Sequence, residues 1–197
     1  MTTPAARTRL SPEARRAQLL DLGAQLFATR SVEDISIDVL AEAAGVSRGL
    51  LYHYFGSKQD FRRAVIRHAV EDLIEQTAPP AGGEPIERLL ASLGVYVDYV
   101  LANLTLYRSL VRAAAGGTDE IRTLYEEGRS ALTDRIFRED AQGAIFTDSP
   151  QARLVVRGWS AMTEEMVLTW ADDPSVLTRG ELVGVLARSL PGLVDLV

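Results

Sequence analysis

No cysteine occurs in this chain of 197 residues. Disulfides, thiol catalysis and Cys-ligated zinc are excluded together. Histidine is nearly as scarce. His53 and His68 are the two present, and the pattern around them offers neither a triad nor a metal site. No glycine loop of the Walker or Rossmann kind is found. Neither a catalytic set, a metal nor a cofactor is therefore expected. No run of eighteen apolar residues exists, so no membrane span is expected. The first ten residues, MTTPAARTRL, lack the apolar core of a secretion signal, and the expected compartment is the cytoplasm. Lysine is the scarcest charge: Lys58 stands alone among 21 basic residues. No stretch alternates with period two long enough to read as a buried strand.

What is present reads almost entirely as helix. Ser11-Pro12-Glu13 is a start signal: a capping hydroxyl, proline at the first helical position, then an acid. Leu19, Leu20, Gly23, Leu26 and Phe27 follow at helical spacing, predicting a helix over 11–30. Short helices are predicted over 36–44 and 47–55, broken at Gly45 and at Gly56-Ser57, and a longer one over 58–75. Ala78 through Gly83 is a Pro/Gly linker. Beyond it the pattern predicts helices over 85–103, 104–115, 118–140, 150–171 and 174–190. The fold class is all-α, about nine helices, divided into units 1–77 and 84–197. Residues 1–68 carry ten basic and seven acidic side chains, a net of +3. Residues 69–197 carry eleven and twenty, a net of −9. That asymmetry points to a nucleic-acid-binding part joined to one that is not.

The informative stretch is 36–58, SIDVLAEAAGVSRGLLYHYFGSK. Two helices of eight or nine residues, joined at a glycine that tolerates positive φ, are not stable alone in water. Val39, Leu40, Ala43, Leu51 and Phe55 supply apolar positions for docking them on the first helix. This is a helix-turn-helix unit, whose second helix enters the major groove.

Ala41, Ala44-Gly45-Val46-Ser47, Leu51-Tyr52-His53-Tyr54-Phe55, Ser57-Lys58 and Phe61 make the segment resemble the tetracycline-repressor-like (TetR) family of bacterial transcription regulators. The resemblance covers roughly residues 11–75. It implies DNA binding through a helix-turn-helix head. It also implies a divergent helical C-terminal half that dimerises and holds a small-molecule effector. Ser47 caps the recognition helix and can reach phosphate. Arg48 can read a guanine edge or pair with phosphate. Gly49 admits close backbone approach, and Tyr52 and His53 lie one turn on; their family counterparts contact DNA. Lys58 matches the family's phosphate-contacting lysine at a helix start. Ser36 is a second phosphate candidate. Tyr54 is either a DNA contact or half-buried packing. Leu50 departs from the family, which usually has a small or hydroxylated residue there. It either packs on a thymine methyl or turns inward. Arg7 and Arg9 read equally as a DNA-tracking arm or a tail, and His68 as a packed or half-exposed histidine.

In the C-terminal half, Tyr96, Tyr99, Tyr107, Phe137, Trp159, Met162 and Met166 are candidates for an apolar effector pocket. Simple helical core is the competing reading. Leu154, Val155 and Trp170 on one helix, with Leu182, Val185, Leu186 and Leu190 on the next, offer apolar stripes for a homodimer. The Glu164-Glu165 pair reads as a solvated face. The leading expectation is a DNA-binding regulator, a repressor released from a palindromic operator by a mainly apolar effector. The alternative is a helical adaptor or ligand-binding protein without DNA binding.

Overall fold

The computed structural model describes residues 11–29, 36–116, 119–140, 143 and 145–197. Arg7, Arg9 and Gly117 lie outside the described residues. At the start, the Ser11 hydroxyl accepts the Ala14 N–H at 3.1 Å. This caps α1 (Pro12–Thr29), after which come α2 (Ile37–Ala44), α3 (Arg48–Phe55) and α4 (Lys58–Gln76). Ser36 caps α2 through the Val39 N–H, and Ser47 caps α3 through the Leu50 N–H, each at 3.2 Å. Between them Gly45 takes the left-handed conformation, φ 61° and ψ 36°. Its N–H turns back to the carbonyls of Ala41 and Glu42, so the helix end is satisfied and the chain reverses. Leu40, Leu51 and Phe55 are buried with Leu19, Leu20 and Phe27 of α1 and Phe61 and Val65 of α4. Gly23 permits the tight crossing of α1 and α4. A Cβ there would lie 2.6 Å from Val65 and 2.7 Å from Phe61.

The remaining helices are α5 (Pro85–Ala102), α6 (Leu104–Gly116), α7 (Asp119–Glu139), α8 (Pro150–Trp170) and α9 (Arg179–Val194). Nine helices and no strand occur among the described residues, an N-terminal helix-turn-helix unit followed by a helical C-terminal one. No single helix among them is long and apolar enough to cross a membrane. The second core joins Val97 and Val100 of α5, Val156, Trp159 and Val167 of α8, and Leu182, Leu186 and Leu190 of α9. Burying each such leucine or valine contributes roughly 1.5–3 kcal/mol.

The last helix differs from the expected 174–190. Asp173 accepts both the N–H and the hydroxyl of Ser175, making a turn, and Thr178 and Glu181 form a capping box that fixes the start at Arg179. At the other end Pro191 does not stop the helix, because Val194 beyond it is buried in the core.

α4 is the element that joins the two halves. Leu106 of α6 is buried in the N-terminal core. Tyr99 of α5 donates its hydroxyl to the Ala69 carbonyl of α4 at 2.9 Å. Arg63 of α4 pairs with Glu120 of α7. Gly128 of α7 lets Val70 of α4 approach so closely that a Cβ would meet it at 2.7 Å. At the C-terminal end of α4, the Arg135 guanidinium donates to the carbonyls of Ile74 at 2.5 Å and Thr77 at 2.8 Å. Desolvation of that guanidinium lowers its pKa from the ordinary value.

Candidate DNA-binding face and effector cavity

Helix periodicity divides the eight residues of α3 between two faces. Leu51 and Phe55 point into the core, and Arg48, Gly49, Tyr52 and His53 stay exposed with the capping Ser47. Tyr52 is 49% exposed, a large ring on the surface with no core to fill. Leu50 is half-buried, as is Tyr54, which packs on the N-terminal core edge-on to the His53 ring. Lys58 is exposed in the first turn of α4, whose start Ser57 caps by accepting the Asp60 N–H at 3.1 Å. Ser36 is half-buried at the start of α2. The structure thus presents Ser47, Arg48, Gly49, Tyr52, His53 and Lys58 to solvent and draws Leu50, Tyr54 and Ser36 partly inward. His68, half-buried, meets Asp21 at 2.7 Å.

One neighbour escapes the sequence reading. Asp38, in the first turn of α2, forms an ion pair with Arg48, both side chains well exposed. The pairing arises because the turn at Gly45 folds the start of α3 back across α2. An exposed pair of this kind contributes little to stability, but it occupies the guanidinium that a phosphate or base would need.

The second feature is a cavity of about 150 Å³ among α4, α5, α6, α7 and α8. Apolar residues such as Leu73, Leu89, Leu110 and Leu132 dominate the wall. Tyr96, Tyr107 and Trp159 line it as expected. Tyr99 does not, because its hydroxyl is committed to α4. Phe137 is instead edge-on to Phe146 at 5.2 Å, and Met162 and Met166 pack against the C-terminal core. The wall also holds Tyr125, Arg129, Thr163 and Glu164. Glu164 is buried and Glu165 exposed, so the pair is not a solvated face. Successive helical residues point about 100° apart, and Glu164 falls beside the inward stripe of Trp159, Thr163 and Val167.

Glu164 gathers a network. It accepts Tyr107 at 2.9 Å, Tyr125 at 2.6 Å and Arg129 at 2.8 Å, and Tyr96 meets Tyr107 at 2.8 Å. Arg129 also stacks over the Tyr125 ring at 4.8 Å. Burial pushes the Tyr96 and Tyr107 hydroxyls well above the ordinary phenol value; for Tyr107 the neighbouring Tyr96 and Glu164 add to it. In the folded state these hydroxyls hold protons that the unfolded chain releases above about pH 10. Their contribution is fully present below that pH and is lost as pH rises. Above pH 10 the expected loss is about 1.4 kcal/mol per pH unit per tyrosine. Urea midpoints at pH 8, 10 and 11 measure it, and Tyr96→Phe should remove one proton's share of the slope. Flat stability to pH 11 would contradict the assignment.

The dimer candidates divide. Leu154 is 73% exposed and Val185 is exposed, while Val155 and Trp170 are half-buried. Leu182, Leu186 and Leu190 are fully buried within the chain's own core and are not free for a partner. The cause is that α9 packs against both α5 and α8, so its leucine stripe faces inward.

Comparison with known proteins agrees with this geometry. Residues 19–65 match the family model described as bacterial regulatory proteins, tetR family, and residues 85–191 match the tetracyclin repressor-like C-terminal domain. The transcriptional repressor KstR2 of Mycolicibacterium smegmatis is 33% identical over 145 residues, 70% of each chain. The transcriptional activator FasR of the same organism is 23% identical over 177 residues, 89% of this chain and 80% of its own. A tetR-family regulator from Streptomyces coelicolor has a structure that superposes with TM-score 0.82 at 33% identity, covering 93% of this chain and 82% of that one. These relatives are regulators of transcription, not enzymes. With both halves of the chain matched in the order the fold shows, this protein belongs to the tetR family of bacterial helix-turn-helix transcriptional regulators.

Proposed function

We propose that this regulator is a repressor that grips a palindromic operator as a homodimer and is released by a mainly apolar small molecule. Residues 1–77 carry the DNA-binding head and 84–197 the effector and dimer functions. The observation that carries the DNA reading is the exposed face of α3, where Arg48, Tyr52 and His53 have no core to fill. Leu154 of α8 and Val185 of α9, both exposed, with the half-buried Val155 and Trp170 of α8, are the proposed dimer contacts. A dimer reads two half-sites only if its recognition helices stand about 34–36 Å apart. α4 runs from Lys58 at the DNA face to Leu73 and Ile74 on the cavity wall. A ligand pressing on that wall tilts α4 and alters the spacing. To release DNA it must bind the spread state better by several kcal/mol.

Linkage makes the effect reciprocal: saturating operator must weaken effector affinity by the factor with which effector weakens DNA binding. Calorimetry with and without operator tests this, and equal ligand affinity in both states would sink the allosteric reading. DNA contact itself is tested by salt titration. A regulator loses affinity steeply with salt, whereas a helical adaptor binds no duplex. Lys58→Ala is expected to weaken specific and non-specific binding about equally and to lower the salt slope by about one. An unchanged slope would take Lys58 away from the phosphates.

A further inference from the structure

We infer that the polar end of the cavity selects a neutral, hydroxyl-bearing ligand over a carboxylate or an amine of the same length. The inference rests on the reading of the cavity as the effector site. A tyrosine hydroxyl has one proton to give. Tyr107 gives its proton to Glu164, so the 2.8 Å contact between Tyr96 and Tyr107 runs from Tyr96 to Tyr107. Tyr125 gives its proton to Glu164 as well. Two of the three protons go to the carboxylate and the third, from Tyr96, to the Tyr107 oxygen, so the Tyr96 oxygen ends the chain as an acceptor. Arg129 offsets the charge of Glu164 at 2.8 Å, so the site is neutral. A second polar group on the wall is unfilled. The Thr163 residue is 4% exposed, and its buried hydroxyl has no hydrogen-bond partner among the described residues.

A ligand hydroxyl supplies the hydrogen-bond donor that the Tyr96 oxygen lacks. Thr163 offers a hydroxyl that can donate or accept. A carboxylate brings no proton and meets the charge of Glu164. An ammonium meets the guanidinium of Arg129. At this end Arg129 and Glu164 are paired with each other, and Arg135, elsewhere on the wall, is committed to the Ile74 and Thr77 carbonyls. A charged head group is left without a free counter-charge there, and an unpaired buried charge costs more than a lost hydrogen bond gains. The cavity of about 150 Å³ has room for on the order of five waters at the share each takes in the liquid, which makes an eight-carbon chain with a head group the upper size to test.

The test is calorimetry on the full-length protein with four probes: 1-octanol, octanoate, octylamine and 1-methoxyheptane. The ether matches the alcohol in heavy atoms but has no proton to donate. The alcohol is expected to bind at least tenfold tighter than either charged probe, and several-fold tighter than the ether. Tyr96→Phe should erase the alcohol's advantage over the ether and leave ether affinity unchanged. Thr163→Val, a near-isosteric change, should weaken the alcohol with the thermal midpoint retained. Octanoate or octylamine matching the alcohol would overturn the inference, as would an ether equal to the alcohol in the unaltered protein. If none of the four binds, the cavity is not the effector site and the parent reading falls too.

Discussion

Glu164→Ala is expected to destabilise the protein by roughly 3–5 kcal/mol, a figure set by what the change leaves behind. The alanine removes one carboxylate, but Arg129 then stays in the wall with its charge unpaired, and Tyr107 and Tyr125 lose their acceptor. Each orphaned neutral donor adds its own desolvation cost. Arg129→Met combined with Glu164→Leu should cost less than Glu164→Ala alone, because neither charge of the pair is then left buried without its partner. Urea unfolding of the two variants beside the unaltered protein checks both statements. A loss below about 1 kcal/mol for Glu164→Ala would mean that water reaches the pair and solvates it.

Arg48→Ala is expected to cost on the order of 1–3 kcal/mol on the best operator duplex and less on random DNA. The guanidinium opens the exposed helix, and its side chain is 68% exposed. In the DNA-free protein, however, it is paired with Asp38. Binding must break that pair, and Asp38 brings a negative charge towards the phosphates. Asp38→Asn is therefore expected to act in the opposite direction, tightening binding to all duplexes several-fold at low salt. Fluorescence anisotropy on both variants at two salt concentrations separates the cases. Equal losses for Arg48→Ala on operator and random DNA would make Arg48 a phosphate contact. No gain from Asp38→Asn would mean that Arg48 leaves its partner without cost.

Local rules alone determined much of this protein. Ser11, Ser36, Ser47 and Ser57 cap helices because a hydroxyl one residue before a helix finds an N–H without a partner. Gly45 reverses the chain because φ of 61° excludes most other residues. The division of α3 into a buried and an exposed face follows from period 3.6 within eight residues. The exposed face of α3, proposed to meet DNA, was legible for that reason: its residues lie close in sequence, on one element, beside their own cap. Pro191 shows the limit, because a local stop signal gives way to the burial of Val194.

Only the tertiary structure decided the cavity and the inward face of α9. Tyr96, Tyr107, Tyr125, Arg129 and Glu164 come from four helices and meet across separations of up to 57 residues. No periodicity encodes such a meeting. The Glu164-Glu165 pair looks solvated in sequence, yet one of the two is buried because Arg129 on α7 arrives to neutralise it. Likewise an apolar stripe shows that Leu182, Leu186 and Leu190 are buried, not by what. Packing against α5 and α8 consumed that stripe within the chain and left Leu154 and Val185 outside. Sequence fixes which residues seek cover. Which surface covers them depends on how the helices pack, a property of the whole fold.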